Sequence, residues 1–306
     1  MPVTQPRHAA SRPAALSVAV PLGLLFTAAA SLGALAAAPV AEPVTPPVPA
    51  AALRLPAPDV AQQPVADPCG DAGVQAALAS GDDEAAIAAF GGGEAFRAAV
   101  TTGNAPCISL SDPARLWVVV NKGRPLSPVD FVPASLQPYQ VRSTSPSDDV
   151  RPEVAQALAA MAAASQGAGA GVLGANNGYR SYGLQQSTYA DYVRDLGQQE
   201  ADAGSARPGH SEHQTGLAVD LVACDDGCGG LDDFGGTAQG RWVAEHAWEF
   251  GFIVRYESGA TGTTGYAPEP WHLRYIGPQL AAAYHHGGYR SLEDFFGLPP
   301  APDYPF

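Results

Sequence analysis

Apolar and polar positions alternate in several distinct rhythms along this chain. Val74–Leu78, Asp83–Phe90 and Glu94–Val100 read as three short helices, the second ended by Gly91-Gly92-Gly93. Leu116–Val120 is a β-branched and aromatic run closed by Asn121-Lys122-Gly123, which predicts a strand. Arg151–Ala164 carries Val154, Leu158 and Met161 at helical spacing, and Ser187–Leu196 also reads as helix. Gly171–Leu173 starts a strand that leads to Asn176-Asn177-Gly178. Leu217–Val222 alternates as a half-buried strand does. Gln239–Phe250 is amphipathic, with Trp242, His246 and Phe250 each four apart, and Gly251 is placed to stop it. Phe252–Tyr256 and Trp271–Ile276 follow as strands. Helices and strands mixed without a regular βαβ repeat predict an α+β fold: a small antiparallel sheet flanked by helices, with a small N-terminal helical region.

Upstream of these elements the pattern changes. Arg7 and Arg12 precede an uncharged stretch from Pro13 to Ala41, most apolar at Ala19–Phe26, and the run closes on Ala34-Leu35-Ala36-Ala37-Ala38. These are the marks of a secretory signal over residues 1–38, with an uncleaved signal anchor as the alternative. Either way the remainder is expected outside the cytoplasm. Residues 39–68 are rich in Pro, Ala and Val and suit an extended spacer. The expected organisation beyond them is a small helical region over 69–113, a main domain over 114–298 and a tail over 299–306.

Of 306 residues, about 240 therefore remain to build one core. The formal net charge is −14, and removal of a leader through Ala38 would bring it to −16. An acidic surface of that size argues against nucleic acid and against anionic membrane as partners, leaving membrane contact only to an N-terminal anchor. A monomer is expected. Cys69, Cys107, Cys224 and Cys228 form an even set, as in oxidising compartments. Three pairings are possible. The closeness of Cys224 to Cys228 favours that pair together with Cys69–Cys107. A four-cysteine zinc site is the competing reading, but the paired short C-x-x-C spacing is missing.

Chemistry concentrates in two segments. Ser211-Glu212-His213-Gln214-Thr215-Gly216-Leu217-Ala218-Val219-Asp220 offers an imidazole and a carboxylate seven apart, around a Gly that permits a turn. Glu269-Pro270-Trp271-His272 offers a carboxylate and an imidazole three apart at the mouth of a strand. Two His and one Asp give zinc three protein ligands and leave an open position for water, the layout of a catalytic site. Glu269, held off the metal, suits a general base. A lone His beside a strand is ordinarily a surface or core residue, and the helical H-E-x-x-H pattern is absent. An Asp facing inward from a strand is harder to dismiss, because a buried carboxylate is costly unless paired or metal-bound. Asp225, Asp226, Asp232 and Asp233 lack EF-hand spacing and read as a solvated loop.

The two segments resemble the S-x-H-x-x-G-x-A-x-D and E-x-W-H signatures of VanY-type D-alanyl-D-alanine carboxypeptidases. Gly178-Tyr179-Arg180-Ser181-Tyr182 with Gln185 downstream, Thr264-Gly265-Tyr266, and Val119-Val120-Asn121-Lys122 with Pro125-Leu126 extend the resemblance from roughly Trp117 to Gly288. It implies the small α+β fold that these zinc peptidases share with the hedgehog signalling domain. It implies one Zn2+ held by His213, Asp220 and His272, with Glu269 as catalytic base and Arg180 holding substrate and offsetting charge on the developing oxyanion. Gln185 and Ser211 are implied as substrate contacts. The expected activity is removal of terminal D-alanine from peptidoglycan stem peptides or their precursors. An L-alanyl-D-glutamate-type endopeptidase would use the same triad, and a non-catalytic wall-binding module would have no need of Glu269. No task is evident for 69–113 or for the tail.

Overall fold

The computed structural model describes residues 67–305. The expected leader over 1–38 and nearly all of the 39–68 spacer lie outside the described residues. Asp71 caps α1 (Ala72–Ser80) by accepting from the N–H groups of Gly73 and Val74, and Asp82 caps α2 (Asp83–Ala89) in the same way. α3 (Gly93–Thr101) follows the glycine run. Two-residue strands β1 (Gln137–Pro138), β2 (Arg142–Ser143) and β3 (Asp149–Val150) lead into α4 (Pro152–Gly167), which buries Val154, Leu158 and Met161 completely. Then come β4 (Leu173–Asn177), α5 (Tyr182–Leu196), α6 (Gln198–Gly204), β5 (Ala218–Ala223), α7 (Ala238–His246) and β6 (Phe252–Tyr256). α8 (Thr261–Thr264), β7 (Glu269–Tyr275), α9 (Pro278–His286) and α10 (Leu292–Phe295) complete the order. Among the described residues no helix is long and apolar enough to cross a membrane.

The main sheet runs β2-β4-β5-β7-β6 and is antiparallel except for the short parallel edge pair β2–β4, while β1 and β3 form a separate antiparallel ribbon. The period of two divides this sheet into unlike faces. Val219 and Leu221 of β5, Leu273 and Tyr275 of β7 and Phe252 of β6 enter an apolar core with α4. The intervening residues Asp220, His272, Arg274 and Arg255 are also buried, on the other face. β5 is thus covered on both sides, not half-buried as its alternation suggested. The alternating residue types mark a chemical division, not a solvent boundary.

A second core joins the two ends of the described chain. Ile87 and Phe96 from the first helices meet Ile253, Ile276, Leu280 and Phe295. At Gly93 a Cβ would stand 2.1 Å from the Gln279 carbonyl oxygen, so α3 seats against α9 at a distance only glycine permits. The predicted strand over Leu116–Val120 is not a strand. The segment begins in a turn, with Val118 N–H bonded to Arg115 O, and is buried with side chains in both cores; Arg274 Nη2 donates to the carbonyls of Leu116 (3.0 Å) and Val118 (2.7 Å), where a neighbouring strand would otherwise pair. α5 starts at Tyr182, five residues before the expected start. Its first turns carry glycine and glutamine in place of an apolar rhythm, and Ser181 caps it.

The disulfides are Cys69–Cys107 and Cys224–Cys228, which removes the four-cysteine zinc alternative. They close loops of 38 and 4 residues. Loop-closure entropy assigns them about 4 and about 2 kcal/mol respectively in the chain-entropy account. Replacing Cys69 and Cys107 together by Ala is therefore expected to lower the denaturation midpoint more than the same change at Cys224 and Cys228. Equal losses in denaturant titrations would contradict this.

Candidate metal and active site

β5 and β7 pair so that Asp220 stands directly across from His272. Side chains of opposed residues lie on the same face within contact range. His213 comes to that face by a different route. The turn over Glu212–Thr215 ends at Gly216, whose φ of +69 reverses the chain into β5. The expected turn at this glycine is present, and it lays the His213 ring over Asp220.

His213 Nε2 lies 3.4 Å from Asp220 Oδ2, and His272 Nδ1 lies 3.2 Å from Asp220 Oδ1. One ligand atom from each of the three residues falls within 4.8 Å of the others, and all three residues are buried. The remaining ring nitrogens are engaged elsewhere. His213 Nδ1 donates to the Gly178 carbonyl at 2.7 Å, which leaves the Nε2 lone pair facing Asp220. His272 Nε2 bonds to Glu212 Oε2 at 3.4 Å, which turns Nδ1 toward Asp220. Such partners fix ring orientation and tautomer at metal sites. Asn177, opposite Asp220 on the other flank of β5, donates to Asp220 Oδ2 at 3.0 Å, while Asp220 Oδ1 is buried without a hydrogen bond.

The donor set fits a divalent cation. Burial would raise the Asp220 carboxyl, yet His213 and His272 beside it hold it well below the carboxylate range. Burial opposes charging His272, but bonds to Asp220 and Glu212 carry it up to about 10. Burial holds His213 below the usual imidazole range, so its Nε2 stays a free electron-pair donor toward Asp220, and zinc takes two imidazoles and a carboxylate in catalytic sites. Glu269 Oε2 lies 3.6 Å from His272 Nδ1 at the edge of the cluster. Burial raises Glu269 to about 7, with His272 and Arg180 opposing and Asp220 adding to the shift. The carboxylate is positioned to exchange a proton near neutrality.

Behind the cluster lies a group the sequence did not reveal. Glu212 accepts from Arg255 Nε (2.9 Å) and Arg274 Nη1 (2.8 Å), and Arg255 forks onto Glu293 at 2.7 and 3.1 Å. All four side chains are fully buried. Against its burial, the two guanidinium groups hold Glu212 well below the usual carboxylate range. The signal was present in the alternation, because Arg274 and Arg255 occupy the same inward face as His272.

A cleft of about 360 Å³ opens over the cluster, and Arg180, Ser211, Tyr256, Tyr266 and Trp271 line it with Glu269. Arg180 Nε is buried without a partner, and burial lowers the guanidinium against the pull of Asp220 and Glu269. The Arg180 backbone N–H donates to the His213 carbonyl at 3.3 Å, tying the Gly178–Arg180 segment to the metal-site turn. Gln185 departs from its expected place as a substrate contact. It is fully buried outside the cleft lining and donates to Ala206 O (2.5 Å) and Ser205 Oγ (3.3 Å), two residues that do line the cleft.

Comparison with known proteins agrees with this geometry. The VanY family model, described as D-alanyl-D-alanine carboxypeptidase, matches residues 147–278. The Bacillus subtilis (strain 168) protein YodJ is 35% identical over 192 residues, covering 61% of this chain and 69% of YodJ. The structure of the LdcB LD-carboxypeptidase, solved to explain peptidoglycan recognition, is 36% identical with a TM-score of 0.56 over 60% of this chain and 87% of that one. A variant of the vancomycin-resistance D,D-pentapeptidase VanY, solved with Zn(II), is 28% identical with a TM-score of 0.50 over 61% of this chain and 99% of its own.

Proposed function

Because the chain belongs to the VanY family of D-alanyl-D-alanine carboxypeptidases, we propose that it is a zinc-dependent peptidase that removes the terminal D-alanine from peptidoglycan stem peptides or their precursors. The observation that carries this reading is the convergence of His213, Asp220 and His272, with Glu269 beside them, beneath a cleft containing Arg180. Bound to the three side chains, a zinc ion would supply Lewis acidity that polarises an acyl oxygen and lowers the pKa of water.

The protein's own groups do the rest. Glu269 takes a proton from the attacking water as the new C–O bond forms, then returns it to the departing amine as the C–N bond breaks. Arg180, charged and unpaired at Nε, offsets the negative charge on the oxygen or grips the substrate's C-terminal carboxylate. Ser211 sits in the cleft wall within reach of a bound peptide. Its place of action in this reading is the wall outside the cytoplasm, as the secretory signal expected over residues 1–38 implies, and it is expected to work as a monomer. Both disulfides are of the kind that persists in an oxidising compartment.

A second reading is favoured by the likeness to LdcB. An LD-carboxypeptidase also releases a terminal D residue, but from an L centre. The purified chain should therefore be offered pentapeptide and tetrapeptide muropeptides, with products weighed by mass spectrometry. Loss of one D-alanine from the pentapeptide supports the D,D reading, and loss only from the tetrapeptide supports the L,D one. Cleavage inside the stem would point to an endopeptidase and overturn both. Turnover is expected to vanish with a chelator and return with added zinc. Full activity in the chelated protein would remove the metal from the account.

A further inference from the structure

The tail, for which the sequence suggested no task, packs against two segments that contribute residues to the cleft. Ala301 N–H bonds to the Thr263 carbonyl at 2.8 Å, and Lys122 Nζ donates to Gly265 O (2.6 Å) and Pro302 O (3.3 Å), joining the tail to the turn before Tyr266. Tyr304 then reaches across. Its hydroxyl accepts the Arg207 N–H at 2.7 Å and lies 3.1 Å from the Tyr266 hydroxyl. The Arg207 guanidinium sits 4.1 Å over the Tyr304 ring while forking onto Asp202 of α6 at 2.8 and 2.9 Å.

The two segments joined through that hydroxyl both contribute to the cleft lining. Tyr266 belongs to one and packs on Tyr256, which in turn packs on His272, each pair with ring centroids 4.9 Å apart. Gly204, Ser205 and Ala206 belong to the other, just before Arg207. That second segment has little apolar anchorage of its own. Gln185 is the only buried residue of α5, and Ala201 the only one of α6. A helical pair with so few buried contacts lies at the low-stability end of a fold. Its placement then depends on polar ties such as Tyr189 to Asp202 (2.6 Å), Gln185 to Ala206, and Arg207 to Tyr304.

We propose that Tyr304 is a positioning residue that fixes two segments of the substrate cleft against each other by bridging Arg207, next to the Gly204–Ala206 lining, and Tyr266. It acts through these neighbours and touches no ligand-bearing side chain. This inference rests on the peptidase reading for its kinetic consequence, but its mechanical content can be measured without it.

The test compares the full chain with Tyr304→Phe, which keeps the ring and removes the bridge, and with a deletion of residues 299–306. For Tyr304→Phe, KM for the preferred muropeptide should rise about five-fold, with kcat and zinc content unchanged, as expected for loss of about one net hydrogen bond in the bound state. Hydrogen–deuterium exchange should accelerate in residues 203–210 and 263–266, and the deletion should enlarge both effects. A purely structural tail would lower Tm without separating KM from kcat. Unchanged KM with unchanged exchange in Tyr304→Phe overturns the proposal whether or not the deletion folds. If the wild-type chain turns over no muropeptide, the peptidase reading fails, and exchange alone decides: faster uptake in those two segments supports the bridge, and unchanged uptake refutes it.

Discussion

Glu269→Gln is expected to lower kcat by about 10²–10⁴-fold while leaving the fold and the zinc content intact. The substitution keeps size and hydrogen-bonding capacity but removes the basic oxygen. Glu269 is the carboxylate best placed for this role. Its Oε2 stands 3.6 Å from His272 Nδ1 at the edge of the cluster, and it lines the cleft. Asp220 is enclosed by both imidazoles, and Glu212 is held by two arginines, so neither is free to shuttle a proton. Steady-state kinetics with metal analysis on the same sample makes the measurement. Release of D-alanine at the full wild-type rate would show that the assignment of roles is wrong.

The largest expected loss of stability is at Arg255. Arg255→Met leaves Glu293 with Asn121 as its main remaining partner and deprives Glu212 of one of its two guanidinium neighbours, in a region with no solvent exposure. Breaking a buried pair from one side costs about 3–5 kcal/mol, because the abandoned charge stays desolvated. For a unit of this size that corresponds to a fall in Tm of roughly 6–20 °C. Replacing Arg255 and Glu293 together by apolar residues should recover much of the loss, since the penalty belongs to the unpaired ion and not to the missing bridge. Thermal unfolding followed by circular dichroism separates the cases. A single variant as stable as wild type would mean that water or a rearranged side chain already reaches Glu293.

Those two residues also show where sequence and structure part company. His213, Asp220, His272 and Glu269 were legible because two short motifs hold them and strand pairing needs only a period of two to bring Asp220 beside His272. Most of the helices were legible for a similar reason, since Val154, Leu158 and Met161 repeat at the helical interval and are buried together. The meeting of Glu212, Arg255 and Glu293 was not, because alternation places Arg255 on the inward face but its acidic partners are far away in the chain and nothing local names them. Leu116–Val120 misled for the same physical reason. Its composition is that of a strand, and only the distant Arg274 determines that its carbonyls bond to a side chain. Gln185 has the motif position of a substrate contact, but it lies behind the wall and holds Ala206 in place.

The close seating of Gly93 against Gln279 has a consequence for how the molecule comes together. Ile87 and Phe96 are synthesised 157 to 193 residues before Ile253, Ile276 and Leu280, which cover them. Contacts this remote in the chain are slow to form, because a long loop must close before they contribute. Until the last helices arrive, only nearer residues such as Trp117, 4.9 Å from Phe96, cover the opening helices. A polypeptide interrupted before residue 276 would present their apolar sides to any neighbour, leaving it prone to aggregate and open to proteases.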